Sequence, residues 1–403
     1  MPVNIIHSTQ GICNYELDKQ VKKRGKISYF CHFAGKLKCP CCGSVHVLQR
    51  EIIHRSFLGV PFGATTVILE MDIPKIYCKE CQTARLIGTP FAKKYKRYTK
   101  KFQEYVISLI GFVTCSDLVK MLNVSWDTIR DIEKEYLQKN FSKPDLSGVK
   151  RIAIDEISVK KGHKYLTIVL DLDKGNVIHV GEGKGGDALN KFWNRLRKSG
   201  AKIECVSVDL SPAYTAAVEE NLPAAQIVYD HFHVIKLFND MMTKVRRELY
   251  SKLTDKEQKS ALKGTRFLLL KRPENLNPDK GEPERLQKAL EMNETLMQLY
   301  YLKDDFAALW EQDDYSQAEG WLLDWLQYAE RLNIQALTTF CKNIRRHAIG
   351  IINWYDYPVS SGPLEGLNNK IKTLKRKAYG YRNMEIFKLK ILAIHKSMYK
   401  LVG

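Results

Sequence analysis

Two cysteine pairs constrain this chain more than any other feature: Cys39-Pro-Cys-Cys42 and Cys78-Lys-Glu-Cys81, with 35 residues between them. Two CxxC knuckles present four thiolates tetrahedrally to one Zn²⁺, so Cys39, Cys42, Cys78 and Cys81 are the expected ligands of a structural zinc. The intervening stretch HRSFLGVPFGATTVILEMDI has the texture of a β-hairpin. Cys41, Cys31, His46 and His54 lie close enough in sequence to leave the ligand set open, and a redox pair or buried free thiols is the alternative reading. Ten cysteines in 403 residues are too sparse for a disulfide scaffold, so metal in a reducing cytosol is expected.

Lys and Arg number 64 against 45 Asp and Glu, a net charge of +19, which favours a polyanionic partner, nucleic acid first and an anionic membrane surface second. At 44% hydrophobic and 27% charged residues the chain is globular and long enough for two to four domains. No apolar run approaches a bilayer span and MPVNIIHSTQ lacks a signal-peptide core, so a cytoplasmic protein without a membrane partner is expected.

The chain divides by texture. Residues 1–90 carry strands and the cysteine pairs, and residues 91–147 are basic and helical. Within the latter, KKYKRYTKK interleaves Lys93, Lys94, Lys96 and Arg97 with tyrosines, ahead of an apolar helix over 102–113. Ser116-Asp-Leu-Val-Lys-Met-Leu122, a turn at Asn123-Val-Ser125 and a second helix from Trp126 follow, with Ser116 and Ser125 as expected N-caps. This spacing predicts a helix-turn-helix that directs Trp126, Thr128 and Arg130 toward a DNA groove, an ordinary helical hairpin being the alternative.

From residue 148 the order strand, strand, strand, helix, strand, helix, strand, helix predicts a mixed sheet flanked by helices. Asp155 is expected to end the first strand and Asp209 the near-continuous apolar strand KIECVSVD. A carboxylate at the end of an apolar strand is costly without a partner. Two on adjacent strands repel unless cations lie between them, and oxygen donors of this kind suit Mg²⁺ or Mn²⁺. Glu365 is the expected third acid: on the helix predicted within residues 359–383, Leu364, Leu367, Ile371 and Leu374 fall on one face. Glu365, Asn368, Asn369, Lys372 and Arg376 fall on another, and Lys372, Lys375 and Arg376 belong to a basic stripe suited to a phosphate backbone. A solvated amphipathic helix is the alternative. Asp230 and His233 are candidate supporting residues. The Gly-rich run 181–186 lacks the GK[ST] of a phosphate-cradling loop. Trp310, Trp321 and Trp325, in the helical stretch 251–355, either stack on an unpaired base or fill a core.

Taken together, the cysteine finger, the helix-turn-helix and the segments IDE (154–156), SVDLSPAY (207–214), VYDHFHVIKL (228–237) and SSGPLEGLNNKIKTLKRKAYGYRN (360–383) resemble the insertion-sequence transposases of the ISL-three type, in the DDE superfamily. The resemblance runs from about residue 38 to the C-terminus. One departure is Ser361, where the family usually has Asn. The resemblance implies a multidomain α+β chain. Its parts would be a zinc-binding finger (1–90), a helix-turn-helix domain (91–147) and an RNase H-like catalytic core in two parts (148–250 and 356–403), interrupted by an all-helical insertion (251–355). It implies Asp155, Asp209 and Glu365 as catalytic, magnesium-binding residues acting on double-stranded DNA at terminal inverted repeats and targets. A homodimer or larger synaptic assembly, associated with the nucleoid, would follow. A DNA-binding regulator built on a transposase scaffold, indifferent to loss of an acid, is one rival. A metal-dependent nuclease without strand transfer is the other.

Overall fold

The computed structural model describes residues 5–160, 164–360 and 362–395; Ser361 lies outside them. The chain forms a mixed α/β, multidomain protein of two compact units, one built from residues 1–142 and 374–403, the other from residues 143–373.

The first unit opens with α1 (Ile5–Gln10), β1 (Tyr15–Lys23), β2 (Lys26–Phe33), β3 (Val47–Phe62), β4 (Thr65–Cys78) and β5 (Thr83–Leu86). They form one sheet in the order β1-β2-β4-β3, with β5 also paired to β4. The stretch between the cysteine pairs is thus a long antiparallel hairpin, β3 against β4, turning at Gly63 in the left-handed region (φ +55°). Alternation along β4 buries Val67, Leu69, Met71 and Ile73 completely, as a half-covered sheet requires. Phe57 and Tyr15 close over that face through edge contacts with Phe91 at 5.3 and 5.6 Å.

Three helices follow: α2 (Lys100–Ile110), α3 (Cys115–Leu122) and α4 (Trp126–Phe141). The basic run before them is a loop, and helix begins only at Lys100, where Thr99 caps by accepting from Phe102 N. Thr114, not Ser116, caps α3. Its hydroxyl accepts from Asp117 N while the Asp117 carboxylate accepts from Thr114 N, a reciprocal pair that Ser116 could not match. Asn123, with φ +51°, ends α3, and Ser125 caps α4 as expected. Phe102, Val106, Leu118, Leu122, Ile129 and Ile132 form the shared core.

The second unit holds β6 (Arg151–Lys160), β7 (Lys164–Asp171), β8 (Asn176–Glu182), α5 (Asn190–Ser199), β9 (Cys205–Val208), α6 (Pro212–Asn221), β10 (Gln226–Tyr229) and α7 (His231–Lys252). This is the element order expected from the sequence. The sheet runs β10-β9-β6-β7-β8, with β10, β9 and β6 mutually parallel and β7 and β8 antiparallel. Then come α8 (Lys256–Leu262), α9 (Glu282–Glu291), α10 (Glu294–Ala307), α11 (Tyr315–Arg331), α12 (Gln335–Ile352) and α13 (Gly362–Lys377), the last crossing the border between the units. Trp325 is buried among Phe238, Phe306 and Phe340, with Phe306 only 4.6 Å away, so it is core. Trp321 packs half-buried against the same core, and Trp310 contacts Phe306 and His231 at its edge.

The chain then returns to the first unit with α14 (Met384–Leu392), which packs on α4 through Leu137, Phe141, Leu389 and Ala393. Beside that contact the Lys390 ammonium meets the Glu133 carboxylate at 2.6 Å, and Glu133 is only 2% exposed. Burial pulls the Lys390 pKa down, but Glu133 and Tyr381 outweigh it and hold it above the usual lysine range. Removing one partner strands the other charge, so Lys390→Met is expected to destabilise the first unit by about 3–5 kcal/mol. Denaturant melts should show Glu133→Gln added to Lys390→Met recovering most of that loss; no recovery would mean the pair is not what holds α14.

Candidate active site and metal centre

In the first unit, the four cysteines of the two knuckles converge: all four sulfurs lie within 4.8 Å of one another. Cys39 Sγ is 3.8 Å from Cys81 Sγ, and Cys42 Sγ is 3.7 Å from Cys78 Sγ. Four sulfurs held about 2.3 Å from a central Zn²⁺ sit about 3.8 Å apart at tetrahedral angles, so this cage has zinc dimensions. The Cys81 N–H donates to Cys78 Sγ at 3.4 Å, and backbone N–H groups of Cys42 and Cys41 hold the Cys39 thiol down to about 6. Thiolate is thereby favoured at Cys39, while the hydrogen bond with Cys42 and burial push the Cys81 thiol up. The alternatives left open by spacing are occupied elsewhere. Cys41 is exposed and outside the cluster, and Cys31 is buried in the sheet core. His46 pairs with Glu80 at 3.1 Å, and His54 with Asp72 at 2.7 Å.

In the second unit, strand register decides where the acids stand. The parallel ladder pairs Ile152 with Val206 and Ala153 with Ser207. Two residues further along, the same register sets Asp155 level with Asp209. The next ladder pairs Val208 with Tyr229, and the Asp230 N–H donates to Val208 O, so Asp230 stands level with Asp209 as well. Carried past the last paired positions, that register puts three aspartates level across three parallel strands. Asp209 follows the last residue of β9, as expected. Asp155 does not end its strand: β6 continues to Lys160 because its antiparallel pairing with β7 extends that far. Asp155 and Glu156 point to opposite faces, and Glu156 lies over Thr167, whose hydroxyl meets Tyr214 at 2.8 Å.

The electrostatics follow from this row. Burial raises the Asp209 pKa above the usual carboxylate range, His233 opposes it, and Glu156 and Asp155 add to it. Asp209 Oδ1 is buried without a hydrogen-bond partner among the described residues. His233 Nδ1 lies 3.4 Å from Asp230 Oδ2, and its pKa is raised first by that contact, against burial, and further by Asp155 and Asp209. Asp230 also caps α7, accepting from Phe232 N at 3.0 Å.

Helix α13 meets the row through Asn368, whose amide Nδ2 donates to Asp155 Oδ2 at 2.7 Å. Glu365 is exposed one turn earlier on the same polar face, while Leu364, Leu367 and Ile371 are buried. Among the described residues only the four cysteines gather three or more metal-capable side chains within 4.8 Å, so Asp155, Asp209 and Glu365 do not together form such a group. Sequence reasoning put Asn368 on the polar face; the i, i+3 spacing from Glu365 was the signal for its contact with Asp155.

The basic candidates are spread over both units. Lys93 pairs with Glu135, Lys94 covers the 86%-exposed Tyr95 at 4.9 Å, and Lys96 approaches Tyr98 at 5.9 Å. Arg97 is exposed. Trp126 is half-exposed under the Arg130 guanidinium at 4.8 Å, and Arg130 also pairs with Asp127 at 3.0 Å, so its charge is partly spent locally. Thr128 is tied to Ser125 in the α4 cap. Lys372 and Arg376 are exposed and Lys375 half-buried. No helix of the described residues is long and apolar enough to cross a membrane.

With this geometry described, comparison with known proteins is informative. Residues 152–391, more than half of the chain, match the family model for transposases of the ISL3 (ISL-three) type. The transposase for insertion sequence element IS1001 of Bordetella parapertussis is 30% identical over 362 residues, 88% of each chain. The transposase for insertion sequence element IS1557 of Mycobacterium tuberculosis is 25% identical over 371 residues, 86% of this chain and 83% of its own. A Drosophila P element transposase strand transfer complex overlaps 74% of this chain and 92% of its own, at a TM-score of 0.40 and 11% identity. On the matched span and the identity to the IS1001 protein, this chain belongs to the ISL-three type family of insertion-sequence transposases.

Proposed function

We propose that this transposase binds the terminal inverted repeats of its element and performs metal-dependent strand cleavage and strand transfer, with Asp155, Asp209 and Glu365 as its acids. The observation that carries the reading is the row of aspartates in which Asp209 keeps a buried oxygen without a partner. An orphaned, desolvated carboxylate beside a second one fits a divalent cation, Mg²⁺ or Mn²⁺, better than it fits packing. Bound there, such ions stabilise charge on the attacking and leaving oxygens of an in-line phosphoryl transfer.

The chain's own residues divide the remaining work. Asp155 and Asp209 supply fixed carboxylates from adjacent strands of what we read as an RNase H-like core. Glu365 is carried by α13, three residues before the Asn368 contact with Asp155, and is read as the third acid of the set. His233, held by Asp230, offsets part of the negative charge of the row. Water as attacking group gives a nick at the element's end; the freed 3′-hydroxyl gives joining to a target, with no covalent protein–DNA bond. Helices α3 and α4 are read as a helix-turn-helix that presents Trp126 to a groove. Exposed Lys94, Arg97, Lys372 and Arg376 are read as phosphate contacts. Helices α8 to α12 correspond to the helical insertion. Cutting both ends in concert calls for a dimer or larger synaptic assembly.

Labelled terminal-repeat DNA with Mg²⁺ tests this. The wild type is expected to cut and join, and Glu365→Gln to bind equally well and do neither. Tight binding by both without cutting by either would replace this reading with the DNA-binding regulator. Cutting without joining of pre-cut ends would leave a nuclease.

A further inference from the structure

We infer that Asn368 is a positioning residue that sets the Asp155 carboxylate and ties the glutamate-bearing helix to the aspartate row. The inference rests on the proposed active site and adds to it a residue that acts through its contact with Asp155.

Asp155 is held from two directions. Its Oδ1 accepts the backbone N–H of Glu156 at 2.7 Å, and its Oδ2 accepts the Asn368 amide at 2.7 Å. The first bond is local and would persist in an isolated strand. The second joins residues 213 positions apart and links α13 directly to the row. A neutral donor suits this place: it satisfies one lone pair of Oδ2, leaves the other for a cation, and adds no charge to a site already crowded with aspartates. A lysine would compete with the ion, and a leucine would leave the carboxylate free to rotate.

The same bond fixes the helix. Leu364, Leu367 and Ile371 bury one side of α13 but are tolerant of small rotations and slides, as apolar contacts are. A directional bond at Asn368 removes that freedom. Glu365, three residues earlier, is thereby held to the polar face that looks toward Asp155. Asn368 thus acts on two of the three acids, one by contact and one through the helix.

The test uses the full chain with Mn²⁺ as probe, free ion being followed by electron paramagnetic resonance, alongside Mn²⁺-dependent cleavage of terminal-repeat DNA. Asn368→Ala and Asn368→Leu are compared with the wild type and with Asp155→Asn. Both Asn368 variants are expected to need about 10–100-fold more Mn²⁺ for half-maximal binding, and likewise for cleavage, the range typical when an outer partner of a metal ligand is lost. Asn368→Leu keeps the branched side-chain shape, and both replacements favour helix more than Asn does, so a loss shared by both variants reports the missing donor and not a collapsed helix. If Asp155→Asn loses the ion while both Asn368 variants bind it as the wild type does, the positioning role is wrong and the active site stands. If Asp155→Asn binds Mn²⁺ unchanged, the active-site reading fails and takes this inference with it.

Discussion

Asp209→Asn should abolish end cleavage and at the same time make the metal-free protein more stable. The loss of activity is expected to be roughly 10⁴-fold, as when one member of a cooperating catalytic set is removed. The gain comes from burial: Asp209 is pushed up by desolvation first and by Glu156 and Asp155 after it, with only His233 pulling the other way. A carboxyl whose folded pKa exceeds its unfolded value makes the native state bind more protons than the unfolded chain between the two. Stability therefore falls as pH rises through that window. Wild type in magnesium-free buffer should lose stability from about pH 4, the unfolded aspartate value, up through the raised one. Asp209→Asn should flatten that slope and raise the melting temperature near pH 7 by about 2–4 °C, the shift expected for each kcal/mol in a unit of this size. Added Mg²⁺ should narrow the gap by stabilising only the wild type. A melting temperature that drops in Asp209→Asn, with the pH slope intact, would mean that the carboxylate is structural. Function placed at the expense of stability is common where a site must hold charge for a ligand.

Loss of zinc should be the most damaging single change to the first unit. Cys78→Ser removes a buried ligand at the end of β4, and elemental analysis should fall from one zinc per chain to none. Structural zinc contributes on the order of 10 kcal/mol in small cysteine-bound domains, comparable with the whole stability of an ordinary one. The apolar core of β4 is continuous without the ion, so the expected result is local. Amides of residues 38–50 and 76–86 should lose exchange protection, while Leu69 and Met71 keep theirs. Cys41→Ser is the control, and it should retain one zinc per chain, because Cys41 lies outside the sulfur cage. Zinc loss in Cys41→Ser would overturn the ligand assignment.

How much of this was legible in the sequence depends on the range of the interaction. The cysteine knuckles and the hairpin between them were readable because ligand spacing and strand alternation are local patterns. That Asp155 and Asp209 belong to neighbouring strands was readable from two apolar runs that each carry an acid, although β6 runs on past Asp155. That extension depends on pairing with β7, which no property of residues 151–158 alone announces. Ser116 was the expected cap of α3, and Thr114 takes its place through the reciprocal bond with Asp117. The level of Asp230 beside Asp209 required a register between β9 and β10, which composition does not encode. Least legible was the pairing of Glu133 with Lys390. Each sits in an ordinary amphipathic helix, and only tertiary packing makes their charges a buried couple.

That couple has a consequence for synthesis. The ribosome finishes Lys390 about 260 residues after Glu133, an interval of roughly 10–50 s at ordinary elongation rates. Throughout it, α4 has formed next to a carboxylate with no counter-charge, and Leu137 and Phe141 have no α14 to cover them. A nascent chain halted by a frameshift or an early stop codon anywhere in that interval would keep its first unit open to proteases and chaperones. Only translation through α14 supplies the counter-charge and the apolar cover that α4 lacks until then.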